Sequence, residues 1–563
     1  MFDLVIKGGT IVDGTGSAPI TGDIAVTDGK VIEVGERIAG NATRTVDADG
    51  LVVAPGWVDV HTHYDGQVTW DPEVSPSSWH GATTVVMGNC GVGFAPLRPE
   101  GRDFLVELME GIEDIPGTAL HEGIDWSWET FGEYLDCVAK MPRVMDVAAQ
   151  VPHSALRAYV MGERAHEEAT YDEIQAMAKL AEQGLRDGAV GITTARTILH
   201  RSIHGIQPGS FVPSDEILAI GEALGTVGHG VFQLVSDAQG RGEEGKWLEE
   251  LARRTGATVS YALAQDGGSE WRSALDDASA LQADGAQIMP MVPSRPTGML
   301  FGLQSSLHPF TTHATYRAMA DLPLAERVAR LRQPEVRAQL LSEGIGTKNA
   351  IAGALMSRWH AMFPLGDDPN YEPAPAESAA SVASASGRRP EEVVLDWLLE
   401  REGKALLFAP LANYNDTNLD AIREMLVHPS TVSGLSDGGA HCGLICDASM
   451  TTFLLTHWVK GRTRGETIPL ETAVAINTGR TAKAWGFKDR GTLVPGKRAD
   501  VNLIDLDGLR LHSPEMVHDL PAGGRRLVQH VDGYVATFVA GQQTYASGEP
   551  TGARPGQLVR GGR

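Results

Sequence analysis

Strand-like and helix-like segments alternate through the middle of the chain, between about residues 55 and 480. The strand candidates are short apolar runs, and the helix candidates are amphipathic segments that each end at a glycine. The strand candidates are GATTVVMG (81–88), ALLFAPLA (405–412) and TVSGLSD (431–437), and the helix candidates are 167–188, 214–228 and 387–403. Alternation over this length predicts an α/β fold with a parallel sheet, and its extent suits an eight-stranded (β/α)8 TIM-like barrel with insertions.

Both ends of the chain carry strand and turn signals. Apolar or alternating runs with Gly or Asp-Gly turns occupy 3–8, 23–35, 499–505 and 531–541. We therefore predict a small β domain built from both termini, 1–54 and 482–563, around a barrel domain at 55–481. The segment 299–371 is rich in aromatic residues and Met. It predicts a lid-like insertion over an apolar pocket or, alternatively, a contact between subunits.

Charge and cysteine content narrow the class of protein. The chain has 47 Lys and Arg against 72 Asp and Glu, a formal net charge of −25, which argues against binding to nucleic acid or to an anionic membrane. Four cysteines are too few for a disulfide scaffold. The first residues lack a signal-peptide pattern, and no apolar run is long enough to span a bilayer. We expect a cytoplasmic protein.

Two sequence motifs predict metal ligands. His61 and His63 follow a largely apolar strand, and residues i and i+2 of a strand project to the same face. Two imidazoles at the carboxyl end of a barrel strand can share one metal ion; the alternative is a pair of hydrogen-bonded histidines. Cys90, between glycines after another strand, offers a thiolate suited to zinc, or it is simply a small buried residue.

A third motif places a carboxylate at the end of a strand. Asp437 begins the glycine-rich turn DGGAH after the candidate strand at 431–435. Beside a metal, this carboxylate could exchange a proton with water and a leaving amine; otherwise it caps the next helix. The three carboxylates of 110–114 are interpreted as a solvated acidic loop, and His200, His204 and His229 as structural or substrate-facing residues.

Together these residues resemble the amidohydrolase superfamily and, within it, the D-aminoacylase (N-acyl-D-amino-acid deacylase) group. The resemblance runs nearly end to end, through DLVIKGGTIVDGTG (3–16), APGWVDVHTHYDGQ (54–67), MGNCG (87–91), GLSDGGAH (434–441), DRGTLVPGKRADVNLID (489–505) and TGARPGQLVRGG (551–562). The resemblance implies a (β/α)8 barrel, a β-sandwich made from both termini, and a mono- or binuclear metal centre at the C-terminal mouth of the barrel. It also implies His61, His63 and Cys90 as metal ligands and Asp437 as catalytic acid/base.

The chain departs from this group at two ligands. D-aminoacylases end their fifth and sixth barrel strands with a metal-binding His, and the matching stretches here, 230–237 and 257–265, contain none. Polar residues that could fill the vacated space are Gln233, Ser236, Asp237, Tyr261 and Gln265. We predict one zinc ion on His61, His63, Cys90 and Asp437, or on three of them plus water if Asp437 mainly shuttles the proton. The alternative is a metal-poor or metal-free site.

The predicted activity is metal-dependent hydrolysis of the amide C–N bond of an N-acyl-D-amino acid or a related small amide. Arg196 and Arg295, which follow candidate strands, could bind a substrate carboxylate, or each could form a surface ion pair. Tyr261 is a further candidate substrate contact. The alternatives are an enzyme of this fold that acts on another amide or ester, a lyase, or a non-catalytic homologue. Homo-oligomerisation is an expectation from the class of protein.

Overall fold

The computed structural model describes residues 1–347 and 350–562. Its strands, in chain order, are β1 Phe2–Ile11, β2 Ile20–Thr27, β3 Lys30–Gly35, β4 Ala42–Asp47, β5 Val52–Pro55, β6 Trp57–Asp59, β7 Ala82–Met87, β8 Asp146–Ala149, β9 Val151–Pro152, β10 Gly191–Arg196, β11 Arg201–Ser202, β12 Gly205–Ile206, β13 Val231–Ser236, β14 Thr258–Ala262, β15 Ile288–Val292, β16 Gly298–Phe301, β17 Phe363–Pro364, β18 Leu407–Pro410, β19 Val432–Ser433, β20 Val501–Ile504, β21 Arg510–Leu511, β22 Glu515–Leu520, β23 Gly524–Val528, β24 Val531–Asp532, β25 Tyr534–Val539, β26 Gln542–Ala546 and β27 Glu549–Pro550.

The α-helices are α1 Arg102–Glu113, α2 Gly117–Gly123, α3 Phe131–Lys140, α4 His153–Met161, α5 Tyr171–Asp187, α6 Ser214–Val227, α7 Glu243–Thr255, α8 Glu270–Ala283, α9 Ala314–Arg317, α10 Leu324–Leu331, α11 Pro334–Ser342, α12 Ala350–Met356, α13 Ala379–Ser386, α14 Pro390–Leu398, α15 Asp420–Val427, α16 Met450–Phe453, α17 Leu470–Asn477 and α18 Gly479–Ala484. Within the described residues, no helix is long and apolar enough to cross a membrane.

Parallel strands form the middle of the fold. One parallel set is β6–β7–β8, and a second is β9–β10–β13–β14–β15–β19, while Gln150 alone separates β8 from β9. A parallel bridge between Thr62 and Gly438 joins the segment after β6 to the segment after β19. Helices α5 to α8 alternate with β9, β10, β13, β14 and β15 along the chain, as parallel connections require. An apolar cluster from six of these strands includes Val58, Val86, Ala148, Val231, Met291 and Val432.

Strands from the two ends of the chain share one sheet. The order of its main path is β27–β26–β25–β20–β5–β1–β2–β3, with β4 paired to β1. The two ends meet where β5 pairs antiparallel with β20, with Ala54 opposite Asn502. Arg490 and Arg498 also reach the parallel core, where both form ion pairs with the buried Asp146 of β8. Strand pairing therefore joins the two ends of the chain, and the two ion pairs link the C-terminal part of the chain to the parallel core.

The segment at 299–371 has an apolar core of its own. Met299, Phe301, Phe310 and Tyr316 pack with residues that include Leu395 of α14. The run ALLFAPLA, a candidate for the alternating strands of the parallel sheet, contains β18, which instead pairs antiparallel with β16 and β17 in a separate three-stranded sheet. The run does contain a strand, but its predicted place in the parallel sheet was wrong. A short apolar run does not show which strands it pairs with. Residues 348 and 349 lie outside the described part of the segment.

Candidate metal centre

The two histidines of the HxH motif lie side by side just beyond β6. His61 and His63 are fully buried, and their ring centroids are 5.4 Å apart at an interplanar angle of 66°. Thr62 between them turns the other way, and its hydroxyl donates to the Val86 carbonyl of the neighbouring strand at 2.8 Å. The alternation of an extended chain therefore puts both imidazoles on one side.

Cys90 comes to the same place from the end of β7. Its Sγ lies 3.5 Å from His61 Nε2, and ligand atoms of His61, His63 and Cys90 all lie within 4.8 Å of one another. The turn that delivers the sulfur needs glycine at position 88, which has a φ of 84°, because an added Cβ would lie 2.4 Å from the Gln150 carbonyl oxygen. Asn89 holds the turn in place by donating to Thr62 O at 2.9 Å.

Asp437 completes this group from the segment after β19. The Asp437 backbone N–H donates to the His61 carbonyl at 3.2 Å, and the His63 N–H donates to the Gly438 carbonyl at 2.7 Å. These bonds bring Asp437 Oδ1 to 3.0 Å from His61 Nε2 and to 3.6 Å from His63 Nε2. The structure thus brings together all four predicted ligands, which are far apart in the sequence.

Glu113, the last residue of α1, is a fifth group that we did not assign to the site. Its Oε1 lies 3.4 Å from His63 Nδ1 and its Oε2 lies 3.4 Å from His441 Nε2. The interpretation of 110–114 as a solvated loop was wrong for this residue, because Glu113 is only 1% exposed. A signal was present: Glu113 follows Met109 by four residues, on the buried stripe of the helix that also includes Leu105.

Burial dominates the electrostatics of the cluster. It raises the pKa of Asp59 to about 6 and that of Asp65 to about 7, and it raises the pKa of Glu113 well above its usual range. It lowers the pKa of His63 to about 4. Burial also acts to raise the pKa of Asp437, but the nearby imidazoles of His61, His63 and His441 outweigh it and hold that pKa well below its usual range. The centre therefore presents a neutral His63 imidazole beside the ionised carboxylate of Asp437.

The donor set fits a divalent cation such as zinc. Burial, with Glu113 and Asp437 nearby, raises the pKa of the Cys90 thiol well above its ordinary value. A cation reverses that effect, because a coordinated thiol is deprotonated. Both ring nitrogens of His63 are buried and make no hydrogen bond to any residue that the structure describes. Buried polar atoms without partners are rare in proteins, and a bound ion is one explanation.

Gln233 lies at the metal centre. It belongs to the stretch 230–237, which lacks the histidine expected from the resemblance. Its register partners are Thr193 of β10 and Ser260 of β14, and its Nε2 is 2.9 Å from His61 Nδ1. Among the other polar candidates, Ser236 bonds to Glu244, Asp237 to Thr197, and Gln265 to Asp416. Of these candidates, Gln233 is the one whose side chain contacts a predicted ligand.

Each of the three predicted substrate contacts has a partner within the protein. Arg196 lies three residues after Thr193, and Tyr261 lies one residue after Ser260. Because side chains alternate along a strand, both point to the opposite face of the sheet from Thr193, Gln233 and Ser260. Accordingly, the Arg196 Nε lies 3.8 Å from Glu244 Oε2 of α7, and the Tyr261 ring packs against Gly240. Arg295 is buried, pairs with Asp447 at 2.7 Å and lies over the Tyr371 ring at 4.0 Å.

The three histidines left unassigned have different surroundings. His200 is half-buried, and its Nδ1 is 2.9 Å from Gln207 Oε1. Burial lowers the pKa of His200 to about 4, and His441, Asp437 and His61 are close enough to influence it. His204 pairs with Glu107 at 2.6 Å, and His229 Nε2 contacts the Ala189 carbonyl at 3.3 Å. His200 is therefore the one of the three that lies near the metal centre.

Comparison with known proteins gives the family. The sequence model of the amidohydrolase family matches residues 44–545. The chain belongs to the amidohydrolase family. The predicted resemblance to the D-aminoacylase group is also confirmed. This amidohydrolase is 27% identical to an N-acyl-D-aspartate deacylase of Alcaligenes xylosoxydans xylosoxydans, over 100% of this chain and 95% of the relative.

Other relatives cover less of the chain or share only the fold. A D-aminoacylase of the same organism is 37% identical over 193 residues, which are 34% of this amidohydrolase and 37% of that protein. A D-aminoacylase structure, from a study of its binuclear metal centre, superposes over 100% of both chains with a TM-score of 0.66 at 23% identity. An N-acyl-D-glutamate deacylase from Bordetella bronchiseptica, in complex with zinc and a phosphonate inhibitor, gives 0.65 at 23% identity over 99% of both chains.

Proposed function

We propose that this amidohydrolase cleaves the amide C–N bond of an N-acyl-D-amino acid or a related small amide, using one zinc ion. The observation that carries the proposal is the convergence of His61, His63, Cys90 and Asp437 at one buried point. The names of the curated relatives support the substrate class, since they include N-acyl-D-aspartate and N-acyl-D-glutamate deacylases. We also propose that the parallel strands close into a (β/α)8 barrel and that the terminal strands form a sandwich domain.

In this reaction the chain's own residues hold the cation and move a proton. His61, His63 and Cys90 would hold zinc, with Asp437 as a fourth ligand or at its edge. Bound zinc supplies Lewis acidity, which lowers the pKa of water and polarises the amide carbonyl. Asp437 Oδ1 accepts a proton from the water that attacks the carbonyl carbon. As the C–N bond breaks, Asp437 returns that proton to the leaving nitrogen, so the products are a carboxylate and an amine.

A cavity of about 260 Å³ is lined by residues that adjoin Glu113 and His441 in the sequence, and we propose it as the route for the substrate. It is lined by Asp114, which adjoins Glu113, by Gly443, two residues past His441, and by Ser306 and Arg525. The Arg525 guanidinium donates to Ser306 Oγ at 3.4 Å. With Arg196 and Arg295 engaged elsewhere, we propose Arg525 as the cation that a substrate carboxylate meets.

The test is a substrate panel with controlled metal content. N-acyl-D-amino acids, their L-enantiomers and uncharged amides are incubated with the zinc-loaded protein, with the chelated protein and with His63→Ala. We expect amine release from N-acyl-D-amino acids by the zinc-loaded protein alone. Turnover of uncharged amides only would contradict the substrate class. Equal zinc content in wild type and His63→Ala would contradict the metal site.

Homo-oligomerisation and a cytoplasmic location stay predictions. Light scattering after size-exclusion chromatography tests the first, and localisation of a tagged chain in cells tests the second.

A further inference from the structure

Glu113 combines features that ordinary structural carboxylates lack. Its side chain is 1% exposed, and both carboxylate oxygens make no hydrogen bond to any residue that the structure describes. A buried carboxylate without partners is costly, and proteins usually pair or hydrogen-bond such groups. Each oxygen lies 3.4 Å from an imidazole nitrogen, Oε1 from His63 Nδ1 and Oε2 from His441 Nε2.

The His63 ring connects this carboxylate to the metal centre. Its Nε2 is on the side of Asp437, at 3.6 Å, whereas its Nδ1 is on the side of Glu113, at 3.4 Å. A neutral imidazole carries a proton on one nitrogen and a lone pair on the other. An acceptor beside Nδ1 therefore favours the tautomer whose lone pair is on Nε2. That lone pair then faces Asp437, on the side of the metal centre.

We propose that Glu113 is a positioning residue, which accepts the Nδ1 proton of His63 and so orients this imidazole to bind zinc through Nε2. The proposal rests on the proposed zinc site. Histidine ligands commonly donate their other ring N–H to a carboxylate, which fixes the tautomer and raises the basicity of the ligand. The separation of 3.4 Å is slightly longer than the typical N–H···O range of about 2.7–3.2 Å, so a small rotation of the Glu113 side chain forms the bond.

His441 lies beside the other oxygen of Glu113. Its Nε2 contacts Oε2, and its backbone N–H donates to the Glu113 carbonyl. His441 lies four residues after Asp437, in the same glycine-rich turn. The backbone bond thus joins the end of α1 to this turn, and the carboxylate lies between the turn and His63.

The two histidine ligands differ in what supports them. His61 Nδ1 has an uncharged amide beside it, the Gln233 Nε2 at 2.9 Å. His63 Nδ1 instead has a carboxylate beside it, which, unlike the Gln233 amide nitrogen, accepts the ring N–H and adds basicity to the ring. Burial raises the pKa of Glu113, but a cation held by the His63 ring would favour the ionised carboxylate. Replacement of this acceptor should therefore weaken zinc binding without removing any ligand.

The experiment measures zinc affinity by competition with a chromophoric chelator. It compares the wild type, Glu113→Gln, Glu113→Ala and His63→Ala with the control Glu110→Gln, the same change at an exposed position of the same helix. Circular dichroism of each metal-free protein establishes that it is folded. We expect Kd for zinc to rise about 10–100-fold in both Glu113 variants, with Glu113→Ala at least as weak as Glu113→Gln. The control should match the wild type.

Cobalt provides a second readout that a purely structural role would not change. At saturating Co²⁺ the visible spectrum of Glu113→Gln should differ from that of the wild type, because the orientation of the His63 ligand differs. Wild-type zinc affinity and an unchanged cobalt spectrum in folded Glu113 variants, with weakened binding in His63→Ala, would overturn this inference and leave the proposed function intact. Unchanged binding in His63→Ala would overturn the proposed metal site itself.

Discussion

At the scale of single residues, the centre relies on unusual backbone conformations. Cys90 has a φ of 54° and Asp437 a φ of 47°, both in the left-handed region that few side chains adopt. Such conformations cost of order 1 kcal/mol or more and persist where the surrounding structure requires them. Here they turn the thiol and the carboxylate toward the same imidazoles.

Asp437→Asn tests the proton transfer. Asn keeps the shape and one oxygen of Asp437 but cannot accept a proton, so we expect kcat to fall by about 10²–10⁴-fold. The zinc content should stay close to that of the wild type, because His61, His63 and Cys90 remain. Steady-state kinetics and elemental analysis on the same preparation measure both quantities. A variant with wild-type kcat would show that another group moves the proton.

The buried contacts of His80, which lie outside the metal centre, should make the stability of the fold sensitive to acid. Its Nδ1 is 3.0 Å from Thr452 Oγ1 and its Nε2 is 2.9 Å from the Gln529 carbonyl. Burial lowers the pKa of His80 from 6.5 to about 3, so the unfolded chain binds this proton more readily than the folded chain. The free energy of unfolding should therefore decrease as the pH falls below about 6.5. Urea unfolding at about pH 7 and about pH 5 should show a smaller decrease in His80→Asn than in wild type; equal decreases would contradict this assignment.

At the scale of elements, the C-terminal residues 556–561 pair with β8 and with the segment just before β10. Val147 N–H donates to Gln557 O at 3.0 Å, and Val559 N–H donates to Val147 O at 2.8 Å. Gly561 N–H donates to Gly188 O at 2.9 Å, just before β10 begins. The C-terminal residues therefore satisfy backbone groups that the parallel strands leave open.

A chain that ends at Gly552 tests the role of these residues. It loses these three backbone bonds and the packing of Leu558 and Val559 against the core. At about 1 kcal/mol for each hydrogen bond plus lost apolar burial, we expect the free energy of unfolding to fall by several kcal/mol. Chemical denaturation of the two proteins gives the difference. An unchanged unfolding midpoint would show that the core closes without this segment.

The sequence predicts residues of the centre best where a metal-binding or acid/base side chain directly follows a strand. The motifs at His61, His63, Cys90 and Asp437 have this form, and the structure brings these residues together. It predicts side-chain direction poorly in strands buried on both faces, and GITTAR of β10 has no alternation to show that Arg196 points toward α7. Glu113 was missed because a helix end delivers it, so its approach to His63 depends on packing between distant elements.

At the scale of the whole molecule, metal binding and folding should be linked. The proposed ligands come from segments that span nearly four hundred positions of the chain, from His61 to Asp437. A cation that joins the segments after β6, β7 and β19 stabilises the folded state and not the unfolded one. At a free zinc concentration of about 100 times Kd, this stabilisation is about 2.7 kcal/mol.

Thermal unfolding with and without zinc measures this linkage. We expect the wild type to melt at a higher temperature with zinc than after chelation, and we expect His63→Ala to show a much smaller difference. If chelation leaves the Tm of the zinc-treated wild type unchanged, the folded chain holds no structurally important metal, as the alternative of a non-catalytic homologue requires.

The most direct test of the zinc site is anomalous diffraction at the zinc absorption edge from crystals grown with zinc. The account predicts one strong peak within about 2.0–2.3 Å of a nitrogen of His61, a nitrogen of His63 and the Cys90 sulfur. The absence of anomalous density among these three side chains, in crystals that contain zinc elsewhere, would contradict it.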